Sequence, residues 1–122
     1  MRVYVAGNLL VEKDSLPIKL IPYLKKAFPN IDFVEYDPSE DLPIEKEIVF
    51  IDTIEADEIM VIEDLNKIKL DKIYSLHDFD LGYTLKLMKK FGMVEKVKII
   101  GLPSNTKIDV AVEKIRECLK SN

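Results

Sequence analysis

Three residues of this 122-residue chain have the types and positions to share one piece of chemistry: Asp14, Asp52 and His77. His77 is the only histidine, and it stands in "SLHDFDLG" (75–82), between a strand-like segment and a helical pattern. A neutral imidazole beside two carboxylates is a three-ligand set for a divalent cation. Imidazole suits zinc, nickel and iron, and three protein ligands leave a coordination position open for water or substrate. Each residue also has an ordinary reading. Asp14, in "DSLP", is a good helix N-cap with a proline soon after it. Asp52, in "DTIEAD", is a turn-starting residue, and a lone histidine often bonds locally. Asp78, Asp80 and the "EDLP" run at 40–43 read as solvated or capping groups.

What decides between these readings is where the elements place the three groups. "RVYVAG" (2–7), "DFVEYD" (32–37), "EIVFID" (47–52), "EIMVIE" (58–63) and "VKIIGLP" (97–103) are short β-branched runs bounded by turn residues. "IVFID" and "KIIG" are nearly continuous in apolar residues, as strands covered on both faces are. Between them Leu16, Leu20, Leu24 and Phe28 recur at helical spacing, as do Leu81, Leu85 and Met88, and Val112, Ile115 and Leu119. Pro22 is expected to kink the first helix or delay its regular part; Pro29 and Gly92 mark helix stops. The alternation predicts an α/β three-layer sandwich: a mostly parallel five-stranded sheet with helices on both faces, in one domain over residues 1–122. Such sheets bind ligands outside the carboxyl ends of their strands. Asp14 follows the first strand, Asp52 is expected to close the third, and His77 follows the fourth, so all three are expected on one edge.

Composition narrows the classes. Apolar residues make up 48% and charged residues 33%, the balance of a globular chain. A formal charge of −4 with acids and bases interleaved gives no footprint for nucleic acid. No apolar run approaches the ~20 residues of a membrane span, and the N-terminal "MRVYVAGNLL" reads as a buried strand, so a cytoplasmic location is expected. The single cysteine, Cys118, lies on the apolar stripe of the last helix and reads as a buried thiol. Neither it nor Ser75 makes a credible nucleophile.

Four blocks in order, "VYVAGNLLVEKD", "IVFIDTI", "YSLHDFDLGYTLKLMKKFG" and "VKIIGLPSN", resemble the hydrogenase maturation proteases, which process the large subunit of [NiFe] hydrogenases. The resemblance spans nearly the whole chain. It implies that Asp14, Asp52 and His77 are at once the catalytic and the metal-engaging residues. Nickel would come with the precursor substrate, and the cleaved segment would be that precursor's C-terminal extension. Val5 and Pro17 stand where the family pattern has glycines, and "YDPSEDLPIEKE" replaces its glycine-rich turn after the second strand. A second expectation therefore stands beside the enzyme: a non-catalytic, metal-dependent binding module that docks on a hydrogenase subunit.

Overall fold

The computed structural model describes residues 1–7, 9–36, 45–63, 85 and 87–120. Five strands form one sheet: β1 (Arg2–Ala6), β2 (Asp32–Tyr36), β3 (Glu47–Ile54), β4 (Met60–Ile62) and β5 (Lys96–Pro103). Their order is β2-β1-β3-β5-β4. The β1–β2, β1–β3 and β3–β5 pairs are parallel, and β4 runs antiparallel along β5 at one edge. The helices are α1 (Leu16–Ala27), a helical segment at 85 and 87–90 (α2), and α3 (Ile108–Lys120). A short 3-10 turn, Glu12–Asp14, leads into α1.

β3 is the reason the sheet has two covered faces. Every residue of it after Glu47 is buried, so its apolar residues must be packed alternately above and below. Val49 and Ile51 share one layer with Val3, Val5, Ile100 and Leu102, beneath Leu16, Leu20 and Leu24 of α1 and Ala111, Ile115 and Cys118 of α3. Ile48 and Phe50 share the other with Tyr4, Val97 and Ile99, beneath Leu85 and Met88 of α2. The helices thus lie on both faces of a mostly parallel sheet, as the alternation predicts. Phe50 anchors an aromatic group on the α2 face, with Tyr4 and Tyr36 at ring-centroid distances of 5.5 and 5.4 Å. Across the other face, the Arg116 guanidinium sits 5.0 Å over the Phe28 ring and joins α3 to the end of α1.

The helix ends follow local chemistry. Gly92 adopts φ 73°, its N–H bonds the Lys89 carbonyl, and the Met93 N–H bonds the Met88 carbonyl. That pair of bonds is a Schellman cap, which needs a left-handed residue and therefore a glycine. α1 runs through Pro22 rather than starting after it. Pro22 is exposed, so its ring stands clear of the core while it removes the helical donor to the Ile18 carbonyl. Among the described residues, no helix is long and apolar enough to cross a membrane.

Leu85 is fully buried and Met88 nearly so. Leu81, the first residue of their expected stripe, lies outside the described residues. Leu85→Ala should lower the unfolding free energy by about 2–5 kcal/mol in urea titrations. A loss within about 0.5 kcal/mol would mean that α2 does not cover this face.

Candidate functional site

The parallel strands point their carboxyl ends to one edge of the sheet, and both carboxylates in question are at that edge. Asp52 is 0% exposed and Asp14 is 1% exposed, values reached by few acidic side chains. Asp52 lies within β3, which continues two residues further to Ile54, so it does not close the strand as expected. The β-branched pair Thr53 and Ile54 prolongs the pairing with β5, where the register sets Asp52 against Gly101 and Ile54 against Pro103. The turn-starting reading of Asp52 fails for the same reason.

Strand alternation puts Asp52 on the face of Ile48 and Phe50, the face covered by α2. Its flanks are small. Continuing the β1–β3 register by one residue beyond Val5↔Ile51 brings Ala6 alongside it, and Gly101 is its partner on β5. A side chain on Gly101 would collide with Ile54, whose Cγ2 stands 2.6 Å from the position of the missing Cβ. Ile54 thus leans over β5 and walls the Asp52 carboxylate on that side. One carboxylate oxygen, Oδ1, accepts the backbone N–H of Thr53 at 2.8 Å, which fixes the side chain against its own strand.

Asp14 reaches the edge from the loop after β1. The 3-10 turn is closed by the Asp14 N–H to the Val11 carbonyl at 2.9 Å, and the Ser15 hydroxyl donates to the Glu12 carbonyl at 2.9 Å. Ser15, not Asp14, occupies the N-cap position of α1, and it makes no side-chain capping bond; Pro17 follows within the first turn. Asp14 is therefore not held there as a cap. Its backbone packs directly on Gly7, where a Cβ would meet the Asp14 carbonyl oxygen at 2.8 Å and Ile18 Cγ1 at 3.1 Å. Gly7, with no side chain, is what lets the loop fold down onto the sheet on the α1 face, the face opposite the one that Asp52 occupies. His77 lies outside the described residues, and among the described residues no group of three or more His, Cys, Asp or Glu side chains is close enough to hold a metal ion.

Three residues of this neighbourhood escaped sequence reasoning. Gly7 and Gly101 make room for the Asp14 loop and for Ile54, and the signal was their place at the ends of apolar runs. Thr53, 3% exposed, reads in sequence as one more β-branched strand residue. Other surfaces are built differently. A depression of about 720 Å³ at the opposite, amino edge of the sheet mixes Glu47, Glu63 and Glu95 with Lys89, Lys96 and Lys98. Cys118 is buried in the α3 layer, and that desolvation raises its thiol pKa, which disfavours the nucleophilic thiolate.

The fold has solved counterparts. The chain is similar to the hydrogenase-maturating endopeptidase HybD from E. coli, with a TM-score of 0.70 and 16% sequence identity, over 99% of this chain and 93% of that one. It is also similar to an uncharacterized protein from Wolinella succinogenes, with a TM-score of 0.59 and 17% identity, over 98% of this chain and 96% of that one. Neither a protein-family model nor a curated protein matches the sequence. The likeness to HybD is one of fold, and it extends over nearly the whole of both chains.

Two outcomes follow from the packing. Gly7→Ala sets a methyl against a backbone oxygen that cannot turn aside, so it should cost about 1–3 kcal/mol and move the Asp14 loop, seen as amide shift changes at 12–18. Unchanged stability and spectra would show that the loop is not seated on Gly7. For Cys118, the unfolded thiol ionises first, near its ordinary pKa of about 8.5. Its contribution is therefore complete below that value and is lost as pH rises through it toward the raised native pKa. The stability of the Cys118→Ala variant should fall less steeply than that of the parent between about pH 8 and 10, in urea midpoints taken across that range.

Proposed function

We propose that this protein is an endopeptidase of [NiFe] hydrogenase maturation, removing the C-terminal extension of a nickel-loaded large-subunit precursor. The observation that carries this reading is the pair of buried carboxylates, Asp14 and Asp52, at the carboxyl edge of a sheet with the HybD fold. Carboxylates buried to this degree are rare, and these two lie at the edge where sheets of this kind bind ligands. Carboxylate oxygens together with the imidazole of His77 make a donor set that fits nickel better than magnesium or calcium, because imidazole is the softer ligand.

In this reading the nickel belongs to the substrate. Asp14, Asp52 and His77 engage it in the precursor, and so restrict cleavage to precursors already loaded; the ion would also supply Lewis acidity. As an alternative to engaging the ion, one carboxylate would act as general base. Asp52 is the better candidate, since its rotamer is pinned by the Thr53 N–H and Ile54 stands beside it. It would take a proton from water as the oxygen adds to the scissile carbonyl. The proton then passes to the departing amine as the C–N bond breaks. The working compartment in this reading is the cytoplasm.

A second reading is supported by the replacement of the family's glycine-rich turn by "YDPSEDLPIEKE": a binding module that docks on a hydrogenase subunit without cutting it. Incubating a nickel-loaded precursor with the protein separates the two. Mass spectrometry should show loss of the C-terminal extension, dependent on nickel. Asp14→Ala, Asp52→Ala and His77→Ala should each abolish that loss while leaving a folded protein by circular dichroism. A stable complex with an untrimmed precursor would favour the binding module. A His77→Ala protein that trims at the parent rate would remove the histidine from the mechanism.

A further inference from the structure

We propose that the Thr53 hydroxyl is a positioning group for Asp14, holding that carboxylate from the face of the sheet opposite Asp52. Thr53 is 3% exposed, and its Oγ1 has no hydrogen-bond partner among the described residues. A buried hydroxyl left in that state is unfavourable, and valine would fill the same space without the cost. Something within reach must therefore use it.

The register says what is within reach. Alternation sends Thr53 to the face of Val49 and Ile51, under α1 and α3. Its partner on β5 is Leu102, a member of that layer. On β1, the register Val5↔Ile51 continued by two residues brings Gly7 alongside Thr53. Gly7 has no side chain, and the place its Cβ would take is 2.8 Å from the Asp14 carbonyl oxygen. Neighbouring strands are about 4.8 Å apart, so Thr53 stands one strand spacing from the residue on which the Asp14 backbone rests. Among the described residues, Asp14 and Ser15 are the other buried polar side chains of this loop, and the Ser15 hydroxyl is already committed to the Glu12 carbonyl. As the side chains stand, the hydroxyl makes no bond to Asp14. Threonine's Oγ1 and Cγ2 are nearly equal in size, so a turn about χ1 would redirect the hydroxyl without repacking the layer. Thr53 would then serve the site twice: its N–H holds Asp52 on one face, and its hydroxyl holds Asp14 on the other.

A double-mutant cycle in urea tests this without any substrate. Thr53→Val should lower the folding equilibrium constant about tenfold in the parent, the scale of a hydrogen bond to a charged acceptor. In an Asp14→Ala background the same change should be neutral or stabilising, because the hydroxyl then has no acceptor. Equal effects in the two backgrounds, or a Thr53→Val protein as stable as the parent, would overturn the proposal. Should Asp14→Ala fail to fold, the Asp14 side-chain ¹³Cγ resonance at pH 7 decides. It should move in Thr53→Val and stay in Thr53→Ser, whereas a space-filling Thr53 would give the reverse. The consequence for catalysis rests on the proposed endopeptidase reading. There Thr53→Val should lower kcat with KM unchanged, and Thr53→Ser should restore it. A parent that does not trim the precursor would sink that reading, while the coupling measured between Thr53 and Asp14 would stand.

Discussion

Everything in this fold is arranged around a strand that has no solvent side. β3 lies between β1 and β5 and buries every residue after Glu47, so each face of the sheet must supply its own apolar layer and its own helices. Placing Asp52 in such a strand sets a polar requirement in the middle of an apolar one. The molecule meets it locally, with the backbone N–H of the next residue, and sterically, with small neighbours on both adjacent strands. Because Ala6 and Gly101 project little, the space around the carboxylate is shaped by Ile54 and by whatever covers the α2 face.

The same edge shows how two small residues on different strands serve opposite ends. Gly7 is small so that backbone can come down onto the sheet, and Gly101 is small so that a side chain can lean across it. The first brings an acidic residue in; the second closes the wall beside another. Neither glycine needs a left-handed conformation, unlike Gly92, whose φ of 73° caps α2. The fold uses one residue type for two unrelated physical reasons, conformational freedom at a helix end and absence of bulk at the site.

Strand identity, the buried layers and the α/β class were legible because the apolar runs have the periods of the elements that bury them. Val49, Ile51, Ile99 and Ile100 are all interior, and Cys118 is a buried thiol. The placement of Asp14 and Asp52 at the carboxyl edge was legible from chain order alone. Their local roles were not. Asp52 read as a strand end because Asp is a turn former, but pairing with β5 overrode that preference for two more residues. Asp14 read as a cap because Asp and Pro17 fit one, yet the 3-10 turn shifts the cap position to Ser15. The antiparallel course of β4 has no sequence signature, since orientation depends on a connection rather than on the strand's residues.

The covering of β3 also has a consequence for how the chain comes into being. Its two neighbours lie far from it in sequence on either side, β1 near residue 2 and β5 only from Lys96 onward. During synthesis, "IVFI" exists for nearly fifty residues with one flank of hydrogen-bonding groups unmatched, the condition under which strands associate with other chains. Glu47 and Asp52 bracket that run with negative charge. Charged residues flanking an apolar strand act as gatekeepers against such association. In the nascent chain, then, Asp52 is one of the two charges that flank an unfinished strand before it has any site to belong to.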